Sequence, residues 1–201
     1  METAAMKNSK LPADRHFNIC KELCHRSLRL VQDLLYSQKL GNNEQSAIIT
    51  EFDIGKILTT YKDNFNLRAN TKKIKLQFKI DQTPTTCMLD ISKWHRIIEN
   101  LFNNALKYTH PGGKIIISSK KIGNKVEVRI KDTGIGIDSK DIPKLFNRFS
   151  ELGKKGTAGE ASTGLGLYIV KSLVEIHHGK IDVVSKVGKG TEFILELPCV
   201  E

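Results

Sequence analysis

The chain has 201 residues, 39% hydrophobic and 27% charged, which suits a sizeable globular domain with an appendage and excludes a disordered or fibrous protein. No apolar run is long enough to cross a bilayer, and the opening "METAAMKNSKLPADRHF" lacks the apolar stretch of a signal peptide, so a cytoplasmic chain without a membrane span is expected. The net charge is +10, but the lysines are scattered as pairs and the 6% of aromatics form no stacking pattern among them, so no dedicated nucleic-acid binding is expected.

Residues 1–13 read as a polar tail, and residues 14–46 as a helix followed by a break. Cys20, Leu23, Ser27, Leu30, Val31 and Leu34 recur at helical spacing, and Cys24, Leu28 and Leu35 widen the stripe. Such a helix wants a partner, and "GNNEQS" ends it. Cys20 and Cys24 lie one turn apart beside His25, with no further ligand at metal-site spacing, so the four cysteines read as reduced, mostly packed thiols.

From about residue 50, "EFDIGKILTTYKDNFNLRAN" reads as a helix with Ile54, Ile57, Leu58, Tyr61 and Phe65 on one face. "KIKLQFKI" alternates as a strand does. "SKWHRIIENLFNNALKYT" reads as a helix with Ser92 as its N-cap. "KIIISSKK" and "KVEVRIKD" read as strands joined at Gly123–Asn124. A short helix is expected around "IPKLFNRF", another helix from Leu165, and a closing hairpin over "KIDVVSKVGKGTEFILELP". Mixed strands with helices to one side make an α/β sandwich.

Four signals in this order carry chemistry. At about 100° per residue, Trp94, Ile97, Ile98, Leu101, Phe102, Ala105 and Leu106 share one arc of their helix, while Asn100, Asn104 and Lys107 gather opposite. Asparagine is a poor helix former. Its amide oxygen suits Mg²⁺, its NH₂ suits a phosphate oxygen, and lysine neutralises phosphate; a solvated polar face would show the same spacing. In "KDTGIGID", Asp132 closes a strand before Gly134 and Gly136. A carboxylate only accepts hydrogen bonds, so it suits the adenine amine and discriminates against the guanine carbonyl, although a plain glycine turn would read alike. "LFNRFS" sets Phe146 and Phe149 three apart, as an anchor for the polar, glycine-bearing segment 151–163 that is placed to close over a ligand. There Lys154 and Lys155 could reach phosphates or stay solvated. Last, "STGLGLYIVKSL" puts Gly164 and Gly166 at the mouth of a helix, where unpaired N–H groups favour anions.

Together these stretches resemble the ATP-binding catalytic domain of sensor histidine kinases, in the wider family shared with DNA gyrase, Hsp90 and MutL. "ENLFNNALKYT" is similar to that family's N box, "DTGIGID" to its G1 box, "LFNRF" to its F box and "TGLGL" to its G2 box, over residues 50–198. The resemblance implies a Bergerat fold, with a mixed sheet backed by helices and ATP held between helices and lid. It implies Asp132 on the adenine amine, Asn104 on Mg²⁺, and Asn100, Lys107 and Tyr108 near phosphates or base. It also implies that the loop glycines Gly134 and Gly136, and the stretch Thr163, Gly164, Leu165, Gly166 and Leu167, line the nucleotide site, with Asn104 and Lys107 serving phosphoryl transfer.

The implied partners are a histidine-bearing dimerisation domain and a response regulator. Residues 14–46 resemble the second helix of a dimerisation hairpin, through which a homodimer could form, and the chain could be the cytoplasmic part of a membrane-bound sensor. The family's acceptor histidine opens a box like H-E-L-R-T-P-L, and none of His16, His25, His95, His110, His177 and His178 is followed by an acid. The acceptor is therefore expected outside this chain. An ATP-dependent interaction module, or a kinase acting on a partner protein, is the alternative.

Overall fold

The computed structural model describes residues 17, 23–24, 27–28, 30–38, 47–150, 156–160 and 162–200. Residues 30–38 are helical. The elements that follow are β1 (Thr50–Asp53), α1 (Ile54–Thr60), α2 (Lys62–Thr71), β2 (Lys75–Ile80), β3 (Thr86–Leu89), α3 (Ile91–Tyr108), β4 (Lys114–Ile122) and β5 (Lys125–Asp132). A 3₁₀ turn (Ile142–Lys144), α4 (Gly166–Ile176), β6 (Lys180–Lys186) and β7 (Gly190–Pro198) complete the chain. Five strands form a mixed sheet in the order β2-β4-β5-β7-β6, with β2 parallel to β4 and the other pairs antiparallel. β1 and β3 form a separate antiparallel pair. The expected mixed sheet backed by helices is what the chain adopts.

Alternation in the strands sets the layers. Ile115 and Ile117 of β4, Val126, Val128 and Ile130 of β5, and Phe193, Leu195 and Leu197 of β7 are buried. They share one core with the apolar arc of α3 and with Ile169, Val170, Leu173 and Val174 of α4. The Phe65 and Phe102 rings stack at 3.8 Å and tie α2 to α3. The other sheet face carries cross-strand ion pairs, Lys131 and Arg129 with Glu192 and Lys125 with Glu196, each worth little on an exposed surface.

Several expectations need correction. "TEFD" is strand, not helix: Thr50–Asp53 pairs with β3, and the Asp53 carboxylate then accepts the Lys56 N–H at 2.9 Å to cap α1. The helix expected across Tyr61 is two helices, α1 and α2. β3 has four residues, too short for its period to stand out. Ser92 is not the N-cap of α3; Asp90 is. The helix expected around "IPKLFNRF" is only the 3₁₀ turn. Of its two phenylalanines, Phe146 packs on the core beside buried Leu145, but Phe149 is 60% exposed and anchors nothing. The polar tail, Cys20, His16, His25, the break at 41–46, and Lys154 and Lys155 lie outside the described residues.

Asp90 is the fastening at the start of α3. Its Oδ1 accepts the N–H groups of Ser92 and Lys93 and the Ser92 hydroxyl, and its Oδ2 accepts Lys93 Nζ at 2.7 Å and the Ile48 N–H at 3.1 Å. The Asp90 N–H in turn donates to His177 Nε2 at 3.0 Å, while His177 Nδ1 donates to Leu173 O. His177 is thus a neutral tautomer with one donor and one acceptor nitrogen, and burial holds its pKa down. For Asp90, burial opposes ionisation, but the Lys93 ammonium, the Ser92 hydroxyl and the N–H groups outweigh it and hold the carboxyl well below the usual range.

Replacing Asp90 by alanine leaves the buried Lys93 ammonium without this counter-ion and uncaps α3. The expected loss is about 3 kcal/mol of unfolding free energy, read from urea melts at neutral pH. Because the folded carboxyl titrates below its unfolded value, its contribution is complete above about pH 4 and fades as the pH falls further, so the two proteins converge in acid.

Candidate functional site

The polar face of α3 is the floor of the site. Asn100 and Asn104 are half-buried, as are Lys107 and Tyr108 at the helix end. The Asn100 Nδ2 donates to Arg96 O at 2.8 Å, which fixes its amide. Its Oδ1 faces the first turn of α4: a Cβ added to Gly166 would sit 3.0 Å from it. The N–H groups at the start of α4 therefore open beside the asparagine face. Glu99, about 100° around the helix from Asn100, belongs to another cluster, in an ion pair with Arg68 at 2.9 Å.

At the C-terminal end of α3 the loop after β5 closes against the helix. Ile135 N–H donates to Tyr108 O at 3.1 Å. Gly134 comes so near that a Cβ there would be 2.3 Å from the same oxygen, so no larger residue fits without moving backbone. Asp132, 4% exposed, accepts the N–H groups of Gly134 at 2.8 Å and Thr191 at 3.2 Å, both on Oδ1. Burial dominates these two bonds and pushes its pKa up to about 6. Gly136, with φ of 69°, passes so close to the end of β6 that an added Cβ would sit 2.1 Å from Lys186 O.

A third wall comes from residues 156–160. Thr157 donates to Lys107 O through its N–H at 3.0 Å, and its hydroxyl reaches the same oxygen at 3.0 Å. Lys72, from the turn after α2, gives its ammonium to Leu106 O, Lys107 O and Glu160 Oε1 at 2.8, 3.0 and 3.0 Å. Three protons meet three acceptors: the cation caps the negative end of α3 and clasps the turn above it. Burial raises the pKa of Tyr108, the Ser162 hydroxyl opposes that, and the Glu160 charge adds to it.

The loop into α4 completes the ring. Thr163 Oγ1 accepts the Leu165 N–H at 3.2 Å. Gly164 has φ of 69°, and a Cβ there would lie 2.8 Å from the Phe149 carbonyl carbon, so glycine lets this loop turn directly against the end of the "LFNRF" segment. Leu165 is buried and Leu167 packs on the core, so only their backbone can face a ligand. The fold thus brings Asn100, Asn104, Lys107, Tyr108, Asp132, Gly134 and the mouth of α4 around one floor, with Gly136 behind it. Sequence reading missed Lys72, Thr157, Glu160 and Thr191. The first three are ordinary polar residues until the fold joins them; "GKGTEF" gave the only hint of the fourth, a glycine turn returning toward β5.

Residues 89–201 match the model of the family described as histidine kinase-, DNA gyrase B-, and HSP90-like ATPase. The chain belongs to that family. Among curated proteins it is 32% identical over 205 residues to the sensor protein kinase WalK of Staphylococcus aureus, covering 99% of this chain and 33% of that one. It is 33% identical over 170 residues to the sensor protein SrrB of the same species, covering 85% of this chain and 29% of that one. The chain thus spans about a third of the length of these relatives. Among solved structures, full-length ShkA in complex with AMPPNP superposes with a TM-score of 0.80 at 26% identity, over 96% of this chain and 40% of that one. The histidine kinase ThkA in complex with the response regulator TrrA gives 0.73 at 24% identity, over 96% and 54%, which speaks for the fold. The resemblance to a histidine kinase ATP-binding domain is borne out, and no helix among the described residues is long and apolar enough to cross a membrane.

In an ATPase of this family the buried Asp132 is a cost to the empty fold. Its folded pKa is raised above the unfolded 3.8, so the penalty is absent below about pH 4, grows as the pH climbs through about 6, and is complete at 7. Asp132→Asn keeps an acceptor for Gly134 and Thr191 and removes the charge. The ligand-free variant is expected to be more stable than wild type by about 1–3 kcal/mol at pH 7, with the gap closing as the pH falls below 6 in urea melts. Lys72→Met should quicken amide exchange at Gly156 and Thr157 by about tenfold, the loss expected for a charge-assisted clasp.

Proposed function

We propose that the chain is the ATP-binding catalytic domain of a two-component sensor histidine kinase, with residues 50–198 as that domain and residues 14–46 as the end of a dimerisation domain. It holds ATP with Mg²⁺ and delivers the γ-phosphoryl group to a histidine outside this chain. ATP as substrate makes the cytoplasm its compartment. A histidine-bearing hairpin and a response regulator are its partners, and the striped helix around 30–38 is the surface through which two copies meet.

The observation that carries this reading is Asp132. A carboxylate is buried at a strand end, with both backbone bonds on one oxygen, at the same end of α3 as a cationic and amide-bearing face. An acceptor-only group in that position selects a ligand that donates there, as the adenine amine does. Binding the amine restores to the carboxylate part of the solvation that burial removed. The phosphates then run along α3 toward Asn100, Lys107 and the N–H groups at the start of α4, which favour anions.

The donor set fits Mg²⁺ as a companion of the nucleotide. Among the described residues no group of three or more His, Cys, Asp or Glu could hold a metal alone. Mg²⁺ is commonly held by one or two protein oxygens together with phosphates and water, and the Asn104 amide supplies such an oxygen. The ion would lessen the charge on the phosphate oxygens. The protein's part is positioning: Asp132 fixes the base, Asn100 and Lys107 fix the phosphates, and the 156–160 turn screens them from water. The bond from the γ-phosphorus to the bridging oxygen breaks, a bond to an imidazole nitrogen forms, and ADP leaves.

Incubation with γ-labelled ATP, Mg²⁺ and a separate histidine-bearing hairpin domain tests the assignment. Label that is acid-labile and alkali-stable should appear on the hairpin and not on this chain. Such label on this chain alone would place the acceptor within it; binding without transfer to any hairpin would leave an interaction module. Asp132→Asn should weaken ATP binding by about 10- to 100-fold in titration calorimetry, since a donor then faces a donor. Asn104→Ala should abolish most of the gain in affinity that Mg²⁺ gives.

A further inference from the structure

Two cysteines far apart in sequence meet at the edge of the small β1–β3 pair. Cys87 sits in β3 and is 0% exposed, while Cys199 follows β7 and is partly exposed. One backbone bond brings their neighbours together, Val200 N–H donating to Thr86 O at 2.8 Å, while Cys199 N–H donates to Asn124 O in the β4–β5 turn at 2.9 Å. Cys87 belongs to the buried core, and Cys199 packs against that core beside it. Neither belongs to the nucleotide site, and neither is needed to hold the end of β7, since backbone bonds already do so.

We infer that Cys87 and Cys199 form an oxidisable dithiol site, whose substrate is a low-molecular-weight disulfide and whose product is a reversible intrachain disulfide. Cys199, the accessible thiol, attacks as thiolate one sulfur of the small disulfide and expels the other half as a thiol. The mixed disulfide on Cys199 is then attacked by the Cys87 sulfur. The Cys87–Cys199 bond forms, the second half leaves, and it takes up the proton that Cys87 loses. Two protein thiols are oxidised and one small disulfide is reduced to two thiols.

Burial, the neighbouring Cys199 and the Asp53 charge push the Cys87 thiol up to about 12, with Lys121 opposing. Burial keeps Cys87 protonated and away from outside reagents; once Cys199 carries the mixed disulfide its charge no longer opposes ionisation of Cys87, and the capped sulfur is the one beside it. The bond closes a loop of about 110 residues and ties β3, which runs through Asp90 into α3, to the end of β7. A loop of that length strongly restricts the unfolded chain.

The test is to incubate the full chain with oxidised glutathione and map its disulfides by mass spectrometry of non-reduced peptides, with thermal melts alongside. The inference expects a Cys87–Cys199 peptide pair, a melting midpoint raised by about 5–10 °C, and loss of both on adding dithiothreitol. Cys199→Ser removes a partly exposed thiol and should fold; in it, Cys87 should take up no glutathione and the rise should vanish. Glutathione left attached at Cys199 with no cross-link, or cross-links confined to Cys20 and Cys24, would overturn the inference.

Discussion

The two ends of α3 are what the rest of the molecule depends on. A helix leaves unpaired N–H groups at one end and unpaired carbonyls at the other, and burying either without partners is costly. Here each end is closed by a charged group of the opposite sign. Asp90 takes the N–H groups of Ser92 and Lys93, and Lys72 takes the carbonyls of Leu106 and Lys107. Each closing group also reaches a second element. Asp90 binds the Ile48 N–H and, through its own N–H, His177 at the end of α4. Lys72 binds Glu160 above the site. The same bonds that terminate the helix therefore place its neighbours, and the polar face between the two caps is held in a fixed frame.

That frame tolerates a group the fold alone would not choose. A carboxylate buried as deeply as Asp132 loses more by desolvation than two backbone bonds return, which is why its pKa rises rather than falls. Asp90 has comparable burial and the opposite shift, because an ammonium, a hydroxyl and three N–H groups face it. The contrast separates the two carboxylates by task. One is satisfied within the protein and serves architecture; the other has only two backbone donors against its desolvation, the property on which the proposed adenine contact rests.

Much of this was readable from period and spacing. The amphipathic turn count of α3 placed Asn100, Asn104 and Lys107 opposite the apolar arc, and they lie so. "KVEVRIKD" put Asp132 at a strand end, and it is there; the structure adds that it lies on the buried face. What escaped was of two kinds. Short elements carry too few residues for a period to emerge, so β1 was absorbed into a helix and β3 was not seen. Contacts between distant segments leave no local trace: nothing in "NTKKI" announces that Lys72 caps a helix more than thirty residues on, and nothing in "GTAGE" announces its counter-ion. Ser92 was mistaken for a cap because Ser92 and Asp90 are both good capping types; the choice fell to Asp90 because it also neutralises Lys93. Two phenylalanines three apart suggested a helical anchor, but Pro143 and the positive φ of Phe149 leave only a 3₁₀ turn, and one ring points to solvent.

The helical residues 30–38 lie against both elements that border the site, and through a different kind of contact. Asp33 pairs with Arg96 at 2.6 Å while the same guanidinium covers the Tyr36 ring at 3.9 Å. Arg148 donates to Ser37 O at 2.9 Å and lies over Tyr168 in the first turn of α4. Arg96 is also the residue whose carbonyl holds the Asn100 amide. These contacts are polar and partly solvated, each worth about 1 kcal/mol or less, whereas α3 and α4 meet through a closed apolar core. Val31, Leu34 and Leu35 of the helical residues 30–38 stay exposed, as does Leu28. Most of this helix's apolar stripe is thus not satisfied by the domain it touches, and it is held by these electrostatic contacts together with the packing of Tyr36 on the core. Any change in this joint bears directly on Arg96 and Arg148, one turn from the asparagine face and against the mouth of α4.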